Sequence, residues 1–179
     1  TTAGLALRAL MLTGLRSGAL RFLRPEYIDH DHEGGPVLTV PAELMKGRKG
    51  KVASFRVPLS REAMDVLHHA NVMSTNGFVF SGTGSKHPGI SDMSMAKLMK
   101  VRQMTARPHG FRTSLRTWII DEKINTNWEV GEMVLQHTAA LSKTEKAYAR
   151  TDFLDERRVI MERWADFLTG REKTKEELL

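Results

Sequence analysis

Between His109 and Tyr148 lies the densest set of side chains suited to attacking and stabilising a phosphate. His109 and Arg112 stand one helical turn apart, and Phe111, Leu115, Trp118 and Ile119 recur at helical spacing. The pattern predicts an amphipathic helix carrying His109, Arg112 and Arg116 together on its polar face. Two hydrogen-bond donors and a further cation would then point one way. A second apolar helix (Trp128, Val130, Met133, Val134) runs into Leu135-Gln136-His137, and a basic stretch follows that bears Tyr148 between Lys146 and Arg150. The chain holds 2 tyrosines. One of them set in a cationic run is a candidate nucleophile.

The chain that must position these groups has 179 residues, 41% of them hydrophobic, enough for one domain with a proper core. It has 0 cysteines, which rules out disulfides, thiolate metal sites and cysteine nucleophiles, and fits a reducing compartment. No apolar run approaches the roughly 20 residues of a membrane span and no charged-then-apolar leader opens the chain, so a soluble, cytoplasmic protein is expected. The net charge of +6 favours a polyanionic partner, because each Lys or Arg that neutralises a nucleic-acid phosphate releases a condensed counterion. A merely basic soluble protein is the plainer alternative. The chain starts at Thr1 directly in an apolar helix, and we expect it to be a fragment of a longer protein.

Taken in order, residues 3 to 12 are apolar almost all round and suit a buried helix that Gly14 can close, and a second helix starts near Arg16. Residues 24 to 60 read as three short antiparallel strands, Arg24 to Asp29, Val37 to Val40 and Ser54 to Ser60, separated by turns rich in Gly and Lys. Ser60 is a good N-cap for the next helix, whose positions 63, 64, 66 and 67 face inward. Gly77 to Phe80 is a short apolar strand or buried extension. The loop from Ser81 to Gly89 lacks the spacing of a nucleotide-binding loop. Ser91 or Asp92 caps a helix with Met95, Leu98, Met99 and Met104 as its apolar stripe. After Tyr148, a final helix carries Phe153, Ile160, Trp164 and Phe167, a stripe to be covered by its own domain or by a neighbouring subunit, and residues 171 to 179 are a charged tail expected to fray. The whole is an α+β fold, mainly helical, with a small three-stranded antiparallel sheet. His30 and His32, alternating with aspartates, read as a solvated loop, and no convincing metal-ligand set or cofactor motif is present.

Three motifs in this order, His109-Gly110-Phe111-Arg112, Leu135-Gln136-His137-Thr138 and Ala147-Tyr148-Ala149-Arg150, together with Thr13-Gly14-Leu15-Arg16-Ser17-Gly18, resemble the catalytic core of the tyrosine recombinases, the phage-integrase family. The matches run from residue 13 to 150. Singly they are weak; as an ordered set they are restrictive. The resemblance implies an integrase-type catalytic domain over residues 1 to 179, lacking the separate helical DNA-clamping domain that precedes it in the family. It implies catalytic roles for Arg16, Lys46, His109, Arg112 and His137, with Tyr148 as nucleophile. The lysine stands on the hairpin between the second and third strands. Lys46 is the first choice, but this connection is longer than usual and Lys49 or Lys51 could fill the role. Two departures are visible: Ala19 where the family has an acidic residue, and Gln136 where it more often has glycine.

The chemistry so implied is cleavage and rejoining of double-stranded DNA at an attachment site, integrating or excising a mobile element without metal or cofactor. Arg16 and Arg112 would brace the non-bridging oxygens, as arginine stays protonated and matches phosphate geometry. His109 and His137 would donate to the same oxygens, and His109 could take the tyrosine proton. Tyr148 would attack phosphorus and leave a 3′-phosphotyrosyl link, and the lysine would protonate the departing 5′ oxygen. A tetramer on DNA and accessory DNA-bending or excision factors are the implied partners, with no membrane. Plainer readings remain beside each residue: a surface arginine at 16, a phosphate-gripping loop at 46 to 51, a capping histidine at 137, a half-buried aromatic at 148, and a salt-bridge role for Arg116. Relaxation of DNA by a topoisomerase of the same chemistry, or DNA binding with a decayed site, are the competing functions.

Overall fold

The computed structural model describes residues 1–47, 52–82, 88–122, 127–136 and 152–171. The first helix, α1 (Thr2–Thr13), forms where the sequence is apolar on nearly every side. Thr1 caps it by accepting from the Gly4 amide, and Ala6, Ala9, Leu10 and Leu12 are buried. It lies at the centre of the molecule, packed against α3 (Arg61–Val72), α4 (Ser94–Val101) and α7 (Leu154–Thr169). A one-turn helix, α2 (Ser17–Leu20), follows it directly.

The sheet is three-stranded and antiparallel in the order β1 (Ile28–Asp29), β2 (Val37–Val40), β3 (Phe55–Pro58), with Leu38 opposite Ile28 on one side and Val57 on the other. The α+β reading therefore holds. The first strand is shorter than its sequence suggests, because Pro25 opens a 3₁₀ turn over Pro25–Tyr27 and leaves two residues to pair. Ser60 caps α3 as expected, accepting from the Ala63 amide at 3.2 Å. Of Gly77 to Phe80, only the second half is a buried extension: Val79 donates to Leu23 O at 2.9 Å and is buried with Phe80, while Gly77 is exposed.

The helix after it departs from expectation. Neither Ser91 nor Asp92 caps α4; Met93 precedes its first residue, and Ser91 instead bonds Ser94 through their hydroxyls at 3.0 Å. Met95 and Met99 are buried, but Met104 is exposed, because α4 ends at Val101 and Gln103 turns the chain through the left-handed region at φ 56°.

The remaining helices, α5 (Gly110–Asp121), α6 (Trp128–Val134) and α7, share a second, smaller core: Leu115, Trp118 and Ile119 meet Val130, Val134, Ile160 and Trp164. A Cβ on the buried Gly131 would stand 3.2 Å from the Ile119 side chain, so the α5–α6 crossing is close. The stripe on α7 is thus covered within its own chain at Ile160 and Trp164, while Phe153 sits at the helix start with φ 52° and Phe167 is 47% exposed. The tail beyond residue 171 lies outside the described residues. Among the described residues no helix is long and apolar enough to cross a membrane.

A candidate phosphate-binding cleft

The turn after α1 places the first arginine. Gly14 adopts φ 63° and returns its amide to Leu10 O at 3.1 Å, and a Cβ there would come within 2.9 Å of Leu115. Conformation and space thus both call for glycine. Leu15 is then fully buried, and Arg16 takes an extended backbone as the N-cap residue of α2, at the junction of the two helices.

The second arginine sits differently from its sequence prediction. Arg112 is not on a polar face with His109 and Arg116. It shares the buried face of α5 with Leu115 and Ile119, and its residue is 5% exposed. Such burial requires acceptors for its fork. Nη1 donates to Gly14 O and Nη2 to Leu135 O, tying the α1–α2 junction to the end of α6. Arg116 lies on the exposed side and pairs with Glu132 Oε1 at 2.6 Å, in keeping with the salt-bridge alternative.

Arg16, Lys46, His109, Arg112 and Gln136 all line one cleft of about 510 Å³, with Leu10, Leu15 and Phe22 among its apolar walls. His109 is exposed immediately before α5, and Lys46 is exposed just past a 3₁₀ turn at Ala42–Leu44. Arg16 donates from Nη1 to Gln136 Oε1 at 2.8 Å, across 120 residues of sequence. His137, Tyr148, Lys49 and Lys51 lie outside the described residues. Ala19, where the family pattern has an acid, is buried in the cleft wall.

The electrostatics are one-sided. Burial pushes the Arg112 guanidinium down to about 10, and the positive charge of Arg16 pushes the same way. At neutral pH it remains a cation. Among the described residues no carboxylate forms an ion pair with Arg112 or Arg16, although the exposed Glu43 also lines the cleft. The arrangement can brace an anion from several directions.

Residue-type reasoning passed over the structural part played by Gln136. The signal in the sequence was a glutamine where the family more often has glycine, and the structure gives the position φ 59°, a conformation that favours glycine. A long polar side chain on such a backbone invites the question of what it holds.

The fold and cleft define a small α+β protein with a cationic site assembled from stretches far apart in its sequence. No family model matches the sequence, and no solved structure does. Among curated proteins it is 31% identical over 164 residues to prophage integrase IntZ of Escherichia coli K12, covering 90% of this chain and 38% of that protein. It is 28% identical over 171 residues to the integrase of Shigella phage Sf6, covering 92% and 41%, and 28% identical over 178 residues to the integrase of Enterobacteria phage P4, covering 92% and 39%. Over nine tenths of its length the chain is thus similar to prophage and phage integrases. It spans about two fifths of the length of the curated relatives it matches.

Proposed function

We propose that this chain is the catalytic domain of a tyrosine-type site-specific recombinase that cuts and rejoins double-stranded DNA to integrate or excise a mobile element. The observation that carries this reading is the meeting of Arg16, Lys46, His109 and Arg112 in one cleft, four cationic or donor side chains from distant parts of the sequence with no carboxylate tied to either arginine among the described residues. A phosphodiester resists attack because its charge repels nucleophiles, and a site of this kind offsets the charge that builds on the non-bridging oxygens.

In this mechanism the Tyr148 oxygen bonds to phosphorus as the bond to the 5′ oxygen breaks. The tyrosine proton passes to His109, and the departing oxygen takes a proton from Lys46, or from Lys49 or Lys51 on the same connection. Arg16, Arg112 and His137 stabilise the pentavalent state. The covalent 3′-phosphotyrosyl link keeps the bond energy, so a 5′ hydroxyl from another strand reverses the step without ATP. Four such subunits on DNA would exchange strands.

The test uses the full-length protein and a duplex selected for binding from a randomised pool, then nicked close to the scissile phosphate so that the cleaved 5′ end diffuses away. Wild type should accumulate a denaturant-resistant protein–DNA adduct, and Tyr148→Phe should accumulate none. An adduct at wild-type level in the Tyr148→Phe protein would end the nucleophile assignment.

A further inference from the structure

Gln136 lies in the cleft on a strained backbone, with φ 59°. A non-glycine residue held there by its surroundings is often tied to function. Its carboxamide is asymmetrically used. Oε1 accepts from Arg16 Nη1 at 2.8 Å, while Nε2 is buried and has no hydrogen-bond partner among the described residues. The orientation is dictated by chemistry, because a guanidinium only donates and the oxygen must face it, which turns the NH₂ away. Buried donors are nearly always satisfied, so an orphan beside a cleft marks an absent acceptor.

The surroundings say which kind of acceptor. Arg16, Arg112, Lys46 and His109 are donors or cations lining the same cleft, and among the described residues the Arg112 fork has only the neutral carbonyls of Gly14 and Leu135. A group with several anionic oxygens fits them together. Resting on the phosphate reading above, we propose that Gln136 is a further phosphate ligand: Nε2 donates to a non-bridging oxygen while Oε1 holds Arg16 in position for another. A neutral amide adds a directional donor without adding to the repulsion between Arg16 and Arg112.

The test titrates the 179-residue chain with inorganic phosphate while following side-chain amide and guanidinium resonances by ¹H–¹⁵N NMR. The Gln136 amide pair should shift with the same midpoint as the Arg16 Nε–H. Gln136→Met, close in length but without the amide, should weaken phosphate binding about tenfold, the usual scale for a hydrogen bond to a charged group. Gln136→Gly, unstrained at this φ, should do the same and serves if the Met variant does not fold. If the Arg16 signal responds but the Gln136 amide does not, or both variants bind phosphate as wild type does, Gln136 is no ligand and the cleft reading survives. If neither arginine responds to phosphate, the cleft reading fails and Gln136 falls with it.

Discussion

Arg112 and Arg157 are both buried, at 5% and 1% exposure, and burial pushes both guanidinium groups down to about 10. Their company differs. Arg157 donates to Arg56 O at 2.7 Å and to Asp152 Oδ2 at 3.1 Å, and lies 5.1 Å over the Phe55 ring. Arg56 grips the same carboxylate with bonds of 2.8 and 2.7 Å. That knot ties β3 to the start of α7 around one carboxylate that both guanidinium groups share. Arg112 has two neutral carbonyls and a like charge, Arg16, for neighbours. Depth of burial therefore does not separate a structural arginine from one proposed to meet a ligand. The separating feature is whether the fold supplies the counter-anion.

Two substitutions test this contrast. The larger effect is expected on chemistry: Arg112→Met should lower single-turnover cleavage by ~10²–10³, the cost of one preorganised donor to a developing oxyanion. Its stability should fall by about 2 kcal/mol at most, because the two carbonyls lose a donor while a buried, unmatched charge also leaves. Next in size, Arg157→Met should cost about 3 kcal/mol of stability, since it removes a buried side chain that is ion-paired to Asp152 and bonded to the Arg56 carbonyl. Urea midpoints for the two variants measure the difference. If Arg112→Met proves as unstable as Arg157→Met, Arg112 is chiefly a clamp and the contrast collapses.

How legible this arrangement was depends on whether the cause was local. The Gly14 turn and the Ser60 cap are written in a few adjacent residues, and the structure has both where spacing puts them. The face of Arg112 is not written that way. Periodicity sorts arginine with the polar residues, but its burial depends on carbonyls at Gly14 and Leu135, which no window around residue 112 contains. The exposed Met104 fails for a related reason, since a left-handed Gln103 ends the helical register before it. Arg157 carried no motif and passed as one charge among many on α7, although its partners on β3 make it one of the largest fully buried side chains. For the cleft, the ordered motifs brought Arg16, Lys46, His109 and Arg112 to notice together, and the described geometry adds what motifs lack: which donors are already engaged, and by what.

The smallest effect concerns acid. Burial acts to raise the Asp152 carboxyl, but the Arg56 hydrogen bond and the charges of Arg157 and Arg56 outweigh it, so its value lies below the ordinary 3.8. A carboxyl held below its unfolded value binds protons less readily in the native state. Its stabilisation is therefore complete above the unfolded value and drains away as pH falls through the lower, folded one. No such limb belongs to the Arg112 site, which has no paired carboxylate among the described residues to protonate. Asp152→Asn should cost about 1 kcal/mol at neutral pH, since both Asp152 and Arg56 are partly exposed. It should also flatten the acid side of the stability profile, so that wild type and variant converge as pH drops below the folded carboxyl's range. Urea midpoints of both proteins, followed from neutral pH into the acid range, measure this. Parallel profiles would mean that Asp152 titrates alike folded and unfolded, and that the knot around Arg157 is held by packing and the Arg56 carbonyl, with its charge as unmatched as that of Arg112.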